Sequence, residues 1–485
     1  MKRLVACLVT VLSLAAMADG KGTDSTARFL DVSRECPRYL VDSSGKTFLP
    51  IGCNICFDRL YGGPEGSRAE CEARFWDRMR KFAANGGNFM RLWLGHPFFE
   101  VMPLKAGEFD PAATETLVKT VRLAEELGIR LKLTLESFRR TQPLKPGETY
   151  LPIFVRPLYH PYARDMREFF QSQRCFDIYL EKARYLKRLG LGDSPAVVCW
   201  ELWNEINAVG PVTVYEDWSA RMLAALKAEF PRQLTTQNLG SFADAHDFYE
   251  YNYLARVADN DFMQAHRYLD PGAAMDVTRG PMDVLCADAV VELLQRRPDR
   301  PAFLAETGAV QARHAGPSLL YPKDREGTLI HDEIFAPFFA GSAGSGQPWH
   351  WDHQYIDGNG LWYHFRRFAK AVEGLDPIAE RFAPFHTETH RLRIYGLKGR
   401  KTTVLWCRDK QATWQSELVE GRAPEAVVGE KLPFESKSGF DMYLPWEDRL
   451  VRLPAGKCLP PAFTRSAVIR FVDGCSAYLG LQRDI

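Results

Sequence analysis

The sequence predicts an α/β chain, with a (β/α)8 TIM-type barrel over residues 30–380 and a small β-sandwich over 385–485. Three observations carry that expectation. Short β-like runs alternate with amphipathic helices eight times between about residues 48 and 374. The alternation stops near residue 385, where only short strand-like runs remain. Polar and aromatic residues stand at the carboxyl ends of the apolar strands. Strands alternating with helices imply a parallel sheet, and eight repeats imply a closed barrel whose site lies at those ends.

The first strand is read over 48–56, FLPIGCNIC, and the helix after it ends at the pair Gly86-Gly87. NFMRLWLG (88–95) is the second strand, followed by a helix over 112–127 that stops at Gly128. IRLKLTLESF (129–138) is the third. The connection 139–165 then breaks the rhythm, and its length marks it as functional or locally ordered. A helix over 166–189 leads to the fourth strand, AVVCWELWN (196–204). Helix 215–229, strand 233–238, a helical stretch near 244–258, strand 261–268, helix 281–296 and strand 301–308 continue the order. Helix 328–339, an irregular eighth strand over 344–351 and helix 360–374 complete it. Beyond residue 385, RLRIYGLKGRKTTVLWCRD, FDMYLPW and SAVIRFVDG alternate with period two between turn residues, which is sandwich texture.

With 485 residues, one large barrel and one accessory unit use up the chain. Lys plus Arg number 62 against 61 Asp plus Glu, so no global field attracts nucleic acid or an anionic membrane, and a neutral partner fits better. The first 18 residues have a basic start at Lys2 and Arg3, an apolar run and a small-residue cleavage site at Ala16-Met17-Ala18. They read as a signal peptide, which makes the protein secreted or periplasmic. The run is too short to span a bilayer, and no later segment is long enough, so no membrane insertion is expected. Of eleven cysteines, Cys7 falls in that leader. Cys53 and Cys199 sit inside strand-like runs and read as small buried residues, while Cys36, Cys407, Cys458 and Cys475 are free to pair. Cys53-Asn54-Ile55-Cys56 has redox or metal spacing without a second ligand pair. No motif fixes the oligomeric state.

The chemistry-bearing residues stand at the strand ends. Arg91 and Trp93 close the second strand, Glu136 the third, Asn204 and Glu205 the fourth. His266 and Tyr268 lie on the sixth, Glu306 on the seventh, and Trp349 and Trp351 follow at the eighth. Glu205 and Glu306 are far apart in sequence, yet barrel strands can aim both into one cleft. Paired carboxylates with unequal acidity suit glycosidic cleavage, where one protonates the leaving oxygen and the other attacks or stabilises the anomeric carbon. Glu306 follows the apolar run PAFLA, where an idle carboxylate would be costly. Glu201, in mid-strand, reads as a structural partner inside the barrel. His350, Asp352 and His353 have the composition of a metal cluster, but among aromatics on a loop they read as substrate or structural contacts.

Trp203-Asn204-Glu205 at one strand end and Glu306-Thr307-Gly308 at another resemble the clan A retaining glycoside hydrolases. Within that clan the sequence is similar to cellulase-like family 5 enzymes, including β-mannanases, over residues 38 to about 375. The resemblance implies Glu205 as acid/base, Glu306 as nucleophile and Asn204 as the group that binds the sugar 2-hydroxyl. It implies substrate contacts from Arg91, His266, Tyr268 and Trp349 or Trp351. The sequence departs from the family after the third strand, where Glu136-Ser137-Phe138 stands in place of a usual histidine. The reading is an O-glycosyl hydrolase cleaving β-glycosidic bonds of a neutral glycan, β-mannan or β-glucan first, with no metal or organic cofactor. Alternatives are a barrel that binds glycan without cutting it and an exo-acting β-mannosidase or β-galactosidase of the same clan. A third makes the C-terminal sandwich a sugar-binding module through Trp406 and Trp414, for which a packing role is preferred.

Overall fold

A computed structural model describes residues 29–58, 66–137, 141, 158–241, 247–472 and 475–477. The expected leader, 1–18, and most of the 139–165 connection lie outside them. Five strands form one parallel sheet in chain order: β1 (Gly52–Cys53), β2 (Phe89–Trp93), β3 (Arg130–Ser137), β4 (Val197–Asn204) and β5 (Leu234–Thr236). Two more, β6 (Met263–Leu269) and β7 (Ala302–Ala309), form a parallel pair. Among the described residues an isolated bridge, Ser241 to His266, links the two sheets. These strands are almost wholly buried, as expected where helices cover one face and a filled interior the other.

The expected eighth strand over 344–351 is not a regular strand. Its backbone still spans the gap between β7 and β1: Gln347 N–H donates to Leu304 and Trp349 N–H to Thr307, while Ser345 N–H donates to Pro50 and Asn54 N–H donates to Pro348. A ladder fails because Pro348 has no N–H to give and Gly346 packs so close that a Cβ would lie 2.0 Å from the Glu333 carbonyl. The hydrogen-bonded ladder is therefore not continuous around the ring.

The helices follow their cap signals. Ser67 and Glu70 form a capping box at the start of α1 (Arg68–Ala84). Asp110 caps α2 (Pro111–Leu127), which has Pro at its first position and ends at Gly128 in the left-handed region, φ 71°. The single helix expected over 166–189 breaks at Ser172, whose extended backbone ends Met166–Gln171 and whose hydroxyl caps α3 (Gln173–Arg188). Next come α4 (Val212–Glu229), α5 (Asp247–Leu254), α6 (Met282–Arg296), α7 (Thr328–Phe339) and α8 (Tyr363–Val372). Every residue of α7 is buried, because the C-terminal region covers the side that a barrel helix normally shows to water. Among the described residues no helix is long and apolar enough to cross a membrane.

That covering element is a six-stranded antiparallel sheet. Its order is β8 (Ala383–Glu388), β9 (Leu392–Lys398), β10 (Thr402–Asp409), β13 (Ser466–Val472), β11 (Phe440–Leu444) and β12 (Arg449–Leu453). Its alternation sends Tyr395, Trp406 and Val468 into the core shared by the parallel strands and their helices, and Ile394, Leu405, Cys407 and Ile469 into a second core under smaller antiparallel strands. Buried ion pairs clamp the sheet to the helices: Arg393 donates to Asp283 at 2.6 and 2.8 Å, and Arg408 to Asp332 at 2.7 and 3.1 Å. Trp406 is fully buried and Trp414 donates its indole N–H to the Gly280 carbonyl at 3.0 Å, so both serve packing rather than an exposed sugar platform.

Among the described residues Cys36 and Cys407 are buried free thiols, so neither forms the disulfide considered above. The side chain of Cys475 lies outside the described residues. Cys53 and Cys56 are also free. Between them, Asn54 sends its amide to the carbonyls of Ala305 and Gln347, both at 2.8 Å, tying β1 to β7 and the irregular eighth segment.

Candidate active site

The carboxyl ends of β2, β4, β6 and β7 converge on one polar cluster. Glu306 reaches it through a bulge: the β7–β6 register runs Leu304 to Ala265, then Glu306 to His266, leaving Ala305 unpaired. The bulge re-aims the side chain, and the Asn54 amide takes up the Ala305 carbonyl that the ladder loses. Glu205 lies one residue past β4 with φ 51°, a left-handed conformation that costs a non-glycine residue about 1 kcal/mol or more. Asn238 stabilises that turn by accepting the Glu205 N–H at 2.7 Å.

Glu205 and Glu306 oxygens and a His266 ring nitrogen all lie within 4.8 Å of one another. The partners of the two carboxyls differ. Arg91 Nη1 donates to Glu306 Oε1, and the Tyr268 hydroxyl donates to Glu306 Oε2 at 2.7 Å. Glu205 has instead the His266 Nδ1, 2.8 Å from its Oε1, and among the described residues no Lys or Arg pairs with it. Burial and then the Glu306 charge push the Glu205 carboxyl well above the ordinary range. Burial lifts Glu306 as well, but Arg91 and Tyr268 pull it back, so Glu306 is the more acidic of the two. Burial, with Arg91 and Lys132 nearby, keeps the His266 ring neutral.

Arg91 is wholly buried and organises the floor. Besides Glu306 it donates from Nε to Glu201 at 2.7 Å and from Nη2 to Asn204 Oδ1 at 2.8 Å. That contact orients Asn204 so that its buried Nδ2 has no protein partner, as does the buried Nε2 of His266. Two unspent polar groups beside two carboxyls are what a hydroxylated ligand would satisfy. Glu201 lies beneath, buried in the middle of β4. It accepts from Arg91, Thr134 at 2.5 Å, Asn238 at 2.6 Å and Gln264 at 2.7 Å. Burial opposes its charge, but Arg91, Lys132 and Thr134 outweigh that and hold its carboxyl at about 2.

The aromatic wall follows from the eighth segment. Trp349 lies 5.2 Å from Trp93 and 5.0 Å from Trp351, centroid to centroid, and Trp351 meets Phe57 edge-on at 5.3 Å. Beyond it opens a cavity of about 530 Å³ lined by Phe57, Asp58, Arg74, Arg78 and residues 349–354. The structure thus brings together Arg91, Asn204, Glu205, His266, Tyr268 and Glu306, with Trp349 and Trp351 on an adjoining wall. Glu136 is held elsewhere, 3.4 Å from the Lys182 ammonium. His96 stacks flat on Phe57 at 3.9 Å and His160 is exposed.

His350, Asp352 and His353 do not converge as ligands. The His350 Nδ1 bonds the Tyr321 hydroxyl at 2.9 Å, and His353 is 69 % exposed and 3.7 Å from Asp352. Among the described residues the ligand-type atoms that cluster are Glu205, His266 and Glu306. Arg91 and Tyr268 already occupy both oxygens of Glu306, so a guanidinium supplies the positive charge a cation would bring.

Sequence reasoning passed over Asn238, although it stands at the end of the fifth strand-like run where the strand-end rule applies. It also passed over Lys132 and Gln264, whose signal was a polar residue inside an apolar strand.

No protein-family model and no curated protein sequence matches the chain. Solved structures do. A candidate glycoside hydrolase from Bacteroides vulgatus ATCC 8482 superposes with a TM-score of 0.55 at 12% identity, covering 93% of this chain and 84% of that one. The shared feature is the fold. A glycoside hydrolase family 5 mannosidase from Rhizomucor miehei follows at TM-score 0.46 and 13% identity, over 66% of this chain and 85% of its own. The exo-β-1,4-mannosidase Op5Man5 from Opitutaceae bacterium strain TAV5 gives 0.48 and 19%, over 70% and 62%.

Proposed function

We propose that this chain is an exported retaining β-glycosidase, a (β/α)8-type barrel carrying a C-terminal β-sandwich, acting on a neutral glycan. The observation that carries the reading is the pair Glu205 and Glu306, oxygens within 4.8 Å, with only Glu306 held by a cation. Inverting hydrolysis needs about 6.5–9.5 Å for a water between the carboxyls, whereas about 5–5.5 Å suits direct attack by one of them.

Glu306, ionised through Arg91 and Tyr268, attacks the anomeric carbon while Glu205 gives its proton to the departing oxygen. Glu205, now a carboxylate, takes a proton from water as that water attacks the glycosyl–Glu306 ester, and both groups return to their starting states. The Asn204 amide and His266 Nε2 are left to bind hydroxyls of the sugar. Trp349 and Trp351 offer apolar faces to its C–H bonds, and the cavity beyond them has room for further sugar units. The cavity's charges, Arg74 and Arg78 against Asp58 and Asp352, balance, which fits an uncharged glycan. The motif resemblance makes β-mannan and β-glucan the first substrates to try.

Proton NMR of the first product released from such an oligosaccharide tests the proposal. Retention of the β-anomer is expected, and replacing Glu306 by Ala abolishes turnover without unfolding the chain. Inversion, or full activity in that variant, contradicts it.

A further inference from the structure

Lys132 is the second cation sealed inside the barrel. It lies on β3 with its side chain 1 % exposed, and the mechanism above gives it no task. Its ammonium donates to Gln264 Oε1 at 2.6 Å and sits 3.4 Å from Glu201 Oε1. Gln264 passes the contact on through its own amide to Glu201 at 2.7 Å. Asn238 bonds Glu201 with its amide and the Glu205 N–H with its carbonyl, at 2.6 and 2.7 Å. A continuous polar chain therefore runs from Lys132 to the backbone of Glu205.

The charges can be counted, because Arg91, Lys132, Glu201 and Glu306 are buried and the Glu205 side chain is only 16 % exposed. The groups whose fields act on Lys132 are Glu201 and Cys199 from β4, Arg91 from β2 and Glu306 from β7. Cys199 is a neutral thiol, since burial drives its ionisation well up, and His266 is a neutral ring. What remains is Arg91 and Lys132, positive, facing Glu201, Glu306 and Glu205. Two cations balance two carboxylates, so the third carboxyl must stay protonated. Arg91 touches Glu201 and Glu306 directly, and Glu205 touches neither cation, so Glu205 is the one left neutral.

We propose that Lys132 is a positioning residue for the proposed reaction: by neutralising Glu201 it frees Arg91 to hold Glu306 as a carboxylate, and so fixes the acid's proton on Glu205. Without it, Arg91 alone serves three carboxyls. A second carboxyl then takes up a proton, and where that is Glu306 the nucleophile is lost at pH values where it is now ready. The proposal rests on the assignment of Glu205 and Glu306 above.

The test compares Lys132→Gln, which removes the charge but keeps a donor towards Gln264, with Lys132→Met, which removes both, and Lys132→Arg, which keeps the charge. The readout is the pH profile of kcat/KM on an activated aryl β-glycoside, with circular dichroism as the check on folding. The acid limb is expected to move up by about one pH unit in both neutral variants and to stay near wild type in Lys132→Arg. A folded Lys132→Gln protein whose limbs coincide with wild type overturns the proposal, because a structural role alone lowers the rate without moving them. Infrared titration of the protonated carboxyl band that disappears in Glu205→Gln gives a second readout needing no turnover. Should the wild type cleave no glycoside, the proposed function fails. The band's midpoint in Lys132→Gln then decides the charge argument alone, an unchanged midpoint refuting it.

Discussion

Tyr268→Phe isolates one interaction of the proposed nucleophile, Glu306. The substitution removes a hydroxyl that donates to Glu306 Oε2 at 2.7 Å and keeps the ring, whose edge-on contact with His314 spans 5.0 Å. A hydrogen bond to a charged acceptor is worth about 1.5–3 kcal/mol, and each pH unit of a pKa corresponds to about 1.4 kcal/mol. Losing the donor disfavours the carboxylate form of Glu306, so its pKa rises by about one to two units. Activity needs that carboxylate, so the acid limb of kcat/KM moves to higher pH by the same amount. Below the limb the variant is about 10- to 100-fold slower than wild type, and near the plateau the loss is smaller because Arg91 still binds Oε1. The assay is a pH series on an aryl β-glycoside at substrate concentrations well below KM. An acid limb that stays put, or moves down, refutes the assignment of Glu306 as the group that must be ionised.

Three further outcomes follow from the same structure. Glu205→Gln removes the proposed proton donor without changing shape and should lower kcat by about 10²–10⁴, with the larger loss on substrates whose leaving group is a sugar rather than an acidic phenol, as initial rates on both will show. Asp283→Ala strands Arg393, which donates to it twice, and withdraws the partner of the Tyr395 hydroxyl at 3.0 Å. Breaking a buried pair by deleting one member costs about 3–5 kcal/mol, so urea unfolding should begin at markedly lower denaturant, while Asp283→Ala with Arg393→Leu recovers part of the loss. Glu201 is held at about 2 against an ordinary 4.5, so its ionised form favours the native state. That contribution, about 3 kcal/mol at most, is complete above pH 4.5 and vanishes as pH falls towards 2. Melting curves should show Glu201→Gln less stable than wild type near neutrality, with the gap closing in acid.

Much of the site was legible because parallel strands gather their carboxyl ends whatever their separation in the chain. Arg91, Asn204, Glu205, His266, Tyr268 and Glu306 each stand at such an end, so counting strands was enough to bring them together. The alternation of strands and helices was legible for the same reason: it is a local pattern. The eighth strand was not, since Pro348 and Gly346 satisfy the ring through scattered hydrogen bonds that no periodicity records. The Ser172 break was missed because a serine inside an amphipathic run also reads as helix, and only its extended backbone reveals the cap. Lys132, Gln264 and Asn238 were passed over because their partners lie 132, 63 and 37 residues away. A lysine inside RLKLTLES and a glutamate inside VVCWELWN were the local hints that the interior is charged. Trp406 shows the limit of composition: a tryptophan in a sandwich strand suits a sugar platform or a core, and only the buried face of the sheet decides.

The most direct test of the two-carboxylate account is to trap the enzyme with an activated 2-fluoro β-glycoside and map the label by peptide mass spectrometry. One equivalent of sugar on the peptide that carries Glu306, absent in Glu306→Ala, is the result expected. A labelled Glu205, or active enzyme that never forms an adduct and releases an inverted product, contradicts the account.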